Sequence, residues 1–195
     1  MKNIIIPASK SLTISNKFPN ENINNSIIRV GNDGTYYYHG YLFFDTSPIP
    51  DNILIYSAEI VLFKTKDFFD CNHTTFSLYP LLDYFSTFTT YANHPRVNMN
   101  FKNNFSPFTS NICVEIDMTN IVSMWSSNTL INKGLFLVGD FTKTSLTSFA
   151  SALNKENYLV PFLRICFKEL PTIDNSNCIN KMPFYKLSCS CEVKH

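Results

Sequence analysis

At 195 residues and 45% hydrophobic composition, the chain is long enough to bury the full core of one domain, which excludes a disordered polypeptide. A formal charge of +1 gives no electrostatic basis for binding nucleic acid or an anionic membrane surface. Only 16% of residues are charged, and eighteen Phe with ten Tyr exceed the needs of one core, so some rings belong at a surface or an interface.

Residues 1–26 read as an extended leader in which Leu12 and Ile14 alternate with Thr13 and Ser15, suggesting a short strand. The apolar run at the start of the chain stops at Pro7. It is too short for the roughly 7–15 apolar residues of a signal peptide, so synthesis in the cytoplasm, or a mature form whose leader has been removed, is expected. No stretch approaches the roughly 20 apolar residues of a membrane-spanning helix, so membrane insertion is not expected. Ile27–Val30 is a second short strand, closed by the turn signal Gly31-Asn32-Asp33-Gly34.

Tyr36–Lys64 then reads as a hairpin, two strands folded about a rigid corner. Leu42 and Phe44 alternate with Tyr41, Phe43 and Asp45 in the first strand. In the second, Leu54, Tyr56, Ala58, Ile60 and Leu62 alternate with Ile55, Ser57, Glu59, Val61 and Phe63. Between them, Pro48 and Pro50 fix φ and remove two backbone donors, so neither strand runs through 45–52.

Lys66–Thr74 reads as a loop, and Thr75–Tyr79 as a strand with Phe76 and Leu78 inward. Leu81–Asn111 is long, rich in Asn, Thr and Phe and without periodicity, as expected of a surface loop at one end of a sandwich. Ile112, Val114 and Ile116 share one face of the next strand, with Cys113 and Glu115 on the other. The period then becomes helical at Met118, Ile121, Val122 and Trp125, with Asp117 or Thr119 placed to cap free amides. Leu135–Val138 reads as a strand and Thr142–Asn157 as a polar loop. Phe162–Phe167 is a last core strand with Leu163, Ile165 and Phe167 inward. After Pro171 a linker precedes an amphipathic strand at Phe184–Lys194, with Cys189 and Cys191 on its apolar face. The prediction is an all-β antiparallel β-sandwich or barrel with one short helix near 118–126. Residues 1–170 form the sandwich, and 171–195 a linker with a cysteine-bearing strand.

The run GYLFFDTSPIPDNILIYSAEIVLFK at 40–64 resembles the central signature of the DNRLRE domain family. Four further pieces follow the family order: Ile28-Arg29-Val30-Gly31, Thr89 through Pro95, Glu115 through Trp125, and Pro161-Phe162-Leu163-Arg164-Ile165. The resemblance spans roughly residues 8–168. It departs at Ser9-Lys10-Ser11, where the family often carries an Asp, and at the tail, which has no counterpart. It implies a non-catalytic jelly roll, similar to carbohydrate-binding modules and collagen-adhesin-like domains, on the bacterial cell or spore surface. Some such relatives bind polysaccharide.

Asp45, Asp51 and Asp117 do not form the closely spaced acidic run of a calcium loop, and turn or capping roles account for them. His39, His73, His94 and His195 lack metal-ligand spacing, and neither a metal nor another cofactor is expected. Cys71 with His73 has no protease-like surroundings, so an enzyme is not expected. Trp125 belongs to the apolar stripe of the helix and reads as core. Tyr36, Tyr37, Tyr38, Tyr84 and Tyr91, beside turns or in the long loop, are the sugar-face candidates. Cys71, Cys113, Cys166, Cys178, Cys189 and Cys191 are cross-link candidates, with Cys113 and Cys166 pointing away from the core. Two functions follow. One is a surface protein that self-associates into a homo-oligomer or polymer through its tail strand and intermolecular disulfides. The alternative is a carbohydrate-binding module or adhesin that binds polysaccharide through surface tyrosines.

Overall fold

Strand β1 (Lys2–Ser15) belongs to two sheets at once. In the computed structural model, which describes residues 1–65, 74–107 and 111–171, its first half pairs with β11 (Phe162–Glu169) from Lys2↔Phe167 to Pro7↔Phe162. Its second half pairs with β4 (Tyr37–Phe44), from Ala8↔Phe44 to Ser15↔Tyr38, with a bulge between Ala8 and Lys10. The expected short strand is therefore fourteen residues long. Pro7 does not break it, because the strand changes partner there and the Ala8 amide donates to the Pro161 carbonyl (2.7 Å).

The first sheet runs β1–β11–β5–β8, with β5 at Ile53–Phe63 and β8 at Cys113–Asp117. The second runs β1–β4–β9–β6–β7, with β9 at Leu135–Val138, β6 at Phe76–Pro80 and β7 at Asn103–Phe105. Strand β3 (Ile27–Asn32) pairs with the start of β4 and with β10 (Ser145–Ala150), while β2 (Asn22–Ile23) pairs with the end of β1. All of these pairings are antiparallel. Lys64 bridges to Phe149 and the Thr65 amide donates to the Ser148 carbonyl, so β5 reaches β10 at a second seam. The result is an antiparallel β-sandwich, nearly closed, with one short helix α1 (Thr119–Ser126). Among the described residues, no helix is long and apolar enough to cross a membrane.

The core lies between the sheets. Ile6, Leu42, Phe44, Ile60, Leu62, Phe76, Leu78, Leu135, Leu137, Phe149, Leu163 and Ile165 fill it, with Ile121, Val122 and Trp125 of the helix closing one end. A fully buried side chain of this size stabilises by roughly 1.5–3 kcal/mol. The inward hydroxyls of β1 support β3 and β10: Thr13 Oγ1 accepts from the Arg29 amide (2.9 Å) and Ser11 Oγ from the Ala152 amide (2.9 Å).

Several expectations are corrected. Strands β4 and β5 do not pair with each other, because the proline corner carries the chain from the second sheet to the first. Tyr56 falls at a register shift, with Ser57 opposite Cys166 and Ile55 opposite Phe167. The extra residue turns Leu54 and Tyr56 to solvent and Ile53 and Ile55 toward the core. Ile112 lies just before β8 and is exposed, while Val114 and Ile116 are buried. Thr142–Asn157 is not a plain loop. It holds β10, whose Ser145, Thr147 and Ser148 are buried despite their polarity, followed by a 3-10 turn at Asn157–Leu159. The expected tail strand, with Cys178, Cys189 and Cys191, lies outside the described residues, as do Cys71, His73 and His195.

Gly31 sets how closely β3 approaches β10. Its φ is +120°, and a Cβ there would lie 1.8 Å from the Ser145 carbonyl oxygen. Gly34, at φ +95°, has open space, its nearest neighbour being Thr144 at 3.6 Å. Gly31→Ala is expected to cost more than about 2 kcal/mol in urea unfolding, through backbone collision added to strain. Gly34→Ala meets strain alone and should cost about 1 kcal/mol.

Candidate functional site

The outer face of the second sheet carries its own apolar layer. Leu12 and Ile14 of β1, Tyr41 and Phe43 of β4 and Phe136 of β9 point away from the main core and are covered by Leu81, Phe85, Tyr91 and Val97 of the long loop. The loop is held at several points. Leu81 bridges to Val97, and the Leu82 amide donates to the Arg96 carbonyl (2.8 Å). Asn22 Nδ2 donates to the carbonyls of Thr87 (2.7 Å) and Thr89 (2.8 Å). The Arg96 guanidinium grips both Asp83 oxygens (2.8 and 3.0 Å) and holds the Asp83 carboxyl at a pKa of about 2, so it remains ionised. Within the loop, the Ser86 amide donates to Thr89 Oγ1 (3.0 Å) and the Phe88 amide to Ser86 Oγ (3.2 Å).

With its apolar side buried, the loop presents the opposite side to solvent. Tyr84 is 65% exposed and Phe88 86%. They line a cleft of about 280 Å³ with Asp83, Ser86, Thr89, Asn93, His94 and Pro95. Lys133 Nζ lies 5.8 Å from the centre of the Tyr84 ring and donates to the Leu82 carbonyl (2.7 Å). The cleft thus combines two exposed rings with hydroxyl, amide, imidazole and ion-paired groups. Those are the groups that hold the apolar faces and hydroxyl edges of a polyol.

The five tyrosines singled out from the sequence do not form one platform. Tyr84 lies in the cleft. Tyr91 is half-buried in the apolar layer beneath it, its ring 5.6 Å from that of His39. Tyr36, Tyr37 and Tyr38 sit where β3 turns into β4. Tyr38 is buried with its hydroxyl donating to Asp33 Oδ2 (3.0 Å), Tyr37 meets Phe141 edge-on, and Lys17 lies over Tyr36. Phe88, His94 and Lys133 were missed, because no periodicity marks an outward residue in an irregular loop. Lys133 also comes from a separate segment brought in by β9.

Asp45 caps a turn through the Ser47 amide (3.0 Å), and Asp117 accepts from the Thr119 amide (2.9 Å) at the start of α1. Cys113 and Cys166 are free and face outward from β8 and β11, opposite Phe63 and Ser57 of β5 respectively, too far apart along the sheet to bond each other. No group of three or more His, Cys, Asp and Glu among the described residues could hold a metal ion.

Residues 6–165 match the family model described as carbohydrate-binding module family 96, a span that runs from β1 to β11 and includes the loop cleft. No curated protein matches the chain.

His39 of β4 lies under this loop, its ring 5.1 Å from Phe136, 5.6 Å from Tyr91 and 5.8 Å from Phe141. Its Nε2 is buried with no hydrogen-bond partner among the described residues. Burial, with a smaller push from His94, lowers its pKa from 6.5 to about 4. The unfolded chain therefore takes the proton first as pH falls. His39's contribution to stability is complete above pH 6.5 and is lost as pH falls toward 4, by about 3 kcal/mol at most. Urea unfolding of the wild type and His39→Phe at pH 7 and pH 4 measures this. The variant is expected to lose less stability on acidification, the difference between the two proteins being the His39 share.

Proposed function

The chain belongs to carbohydrate-binding module family 96, and from that premise we propose that it is a non-catalytic module that binds polysaccharide in the cleft of the loop over the second sheet. The observation that carries this reading is the exposure of Tyr84 and Phe88 on a loop whose backbone is already fixed. Two large rings in water are costly surface unless a ligand covers them, and sugar rings offer apolar faces to do so. Because Asp83–Arg96 and Asn22 hold the loop before a ligand arrives, little conformational entropy is lost on binding. Asn93, His94 and the Tyr84 hydroxyl supply hydrogen bonds to sugar hydroxyls at the rim.

The family supports carbohydrate binding and lends nothing to the self-associating surface protein. That reading rests on a tail strand and tail cysteines that lie outside the described residues. A role on polysaccharide accords with the surface location implied by the sequence resemblance.

Depletion assays with insoluble polysaccharides and affinity electrophoresis in soluble ones test the site. Tyr84→Ala and Phe88→Ala are each expected to weaken binding about tenfold, or about 1.4 kcal/mol, with thermal unfolding unchanged. Tyr91→Ala should instead lower thermal stability, since its ring belongs to the buried layer. Unchanged affinity in both the Tyr84 and Phe88 variants would place the ligand elsewhere.

A further inference from the structure

A second cleft of about 240 Å³ opens at the proline corner, where the chain crosses from β4 to β5 beside the end of α1. Trp125 and Pro50 supply its apolar walls, and Thr46, Asp51, Ser126 and Asn128 its polar ones. Trp125 is only 6% exposed, and its indole Nε1 has no hydrogen-bond partner among the described residues. Among the described residues, none hydrogen-bonds the Asp51 carboxylate, the Ser126 hydroxyl or the Asn128 side-chain amide. The neighbouring turns differ in this respect. Asp45, Asp117 and Asp140 all close local turns, whereas the exposed Asp51 carboxylate closes none among the described residues. Ser126 also borders an adjoining hollow of about 300 Å³ with Asn52, Leu54 and Ser123, so the corner is an extended groove and not a closed hole.

This groove neighbours the loop cleft. Asn132 Nδ2 donates to the Phe44 carbonyl (2.8 Å) and to Thr46 Oγ1 (3.3 Å) at the corner. The next residue, Lys133, lies over Tyr84 of the loop. Consecutive residues thus contact a lining residue of each cleft. The corner lining contains one carboxylate and no cationic side chain, which disfavours an acidic sugar. A carboxylate is acceptor-only and can accept hydrogen bonds from two hydroxyls at once, a match for adjacent hydroxyls on a neutral ring, while the amide both donates and accepts.

We propose that the corner cleft is a second sugar subsite that takes a neutral hexosyl unit through adjacent hydroxyls on Asp51, so that one polysaccharide chain engages both clefts across Asn132–Lys133. The proposal rests on the reading of the chain as a polysaccharide-binding module and names where and how a further unit is held. A chain held at both places binds with the gain of an intramolecular second contact.

The chain contains a single tryptophan, and it lines this cleft, so intrinsic fluorescence reports the corner directly. Mixed-linkage β-glucan, arabinoxylan, galactomannan and polygalacturonate are titrated into the full chain, with depletion or affinity electrophoresis in parallel. A bound neutral polymer is expected to change the Trp125 emission in the wild type and, at higher concentration, in a Tyr84→Ala/Phe88→Ala double variant. Asp51→Asn/Ser126→Ala should abolish that change and weaken binding about tenfold. Asn128→Gly, suited to the backbone φ of +56° at that position, removes the amide without strain and should weaken binding in the same direction. Unliganded emission and thermal unfolding of each variant verify folding. Binding without an emission change in the wild type, or an undiminished change in Asp51→Asn/Ser126→Ala, would overturn the corner subsite and leave the loop cleft standing. An equal response to polygalacturonate would overturn the assignment to a neutral sugar. Binding to none of the polymers would overturn both readings.

Discussion

The sandwich depends on β1 changing partners at Pro7. Six residues of the strand lie opposite β11 and most of the rest opposite β4, so one continuous chain joins the two sheets. Proline suits this place because its missing amide falls where one ladder ends and the next begins. The seam at Lys64–Phe149 joins the sheets again through β5 and β10. Between these seams the inward faces are committed to each other, and the register of β4 is set from both sides by β1 and β9.

Fixing β4 also fixes what its outer face presents. Tyr41, Phe43 and His39 point away from the main core and must be covered by something other than a sheet. The loop from Leu81 to Val97 does this, so the fold has two apolar layers and the abundance of aromatic residues is accounted for. The salt bridges on the opposite, solvent-facing sheet, where Arg164 reaches Glu59 and Glu115, are exposed and add little stability. The stabilising interactions that matter to the candidate site are therefore those under and within the loop. The half-buried His39, whose Nε2 is shielded from solvent, belongs to that set, which ties retention of the loop to pH.

Much of the fold was legible where alternation and burial agree, as in Leu163–Ile165–Phe167, Val114–Ile116 and the helical spacing of Ile121, Val122 and Trp125. Elsewhere local signals misled for identifiable reasons. β1 looked short because alternation marks only Leu12 to Ser15 and the switch of partners at Pro7 is not a local signal. β10 looked like a loop because, Phe149 apart, its large inward positions are taken by Ser and Thr in a seam, not by aliphatics. The strands around the proline corner looked like a pair because adjacency in sequence does not reveal which sheet a strand joins, and the Tyr56 bulge reversed half of the expected face. For the site, Tyr84 was recognisable as a ring in a long loop. Phe88, Lys133 and Asp51 were not, since their significance comes from what tertiary folding leaves exposed or unpartnered.

The central claim is that the fixed loop over the second sheet, and not the open face of the first, receives polysaccharide. Hydrogen–deuterium exchange of the full chain with and without a bound polymer tests it most directly. Slower exchange confined to 83–96 and the adjoining corner at 46–51 and 125–133 is the predicted result. Protection centred instead on β8, β5 and β11, around Tyr56 and Arg164, would contradict it.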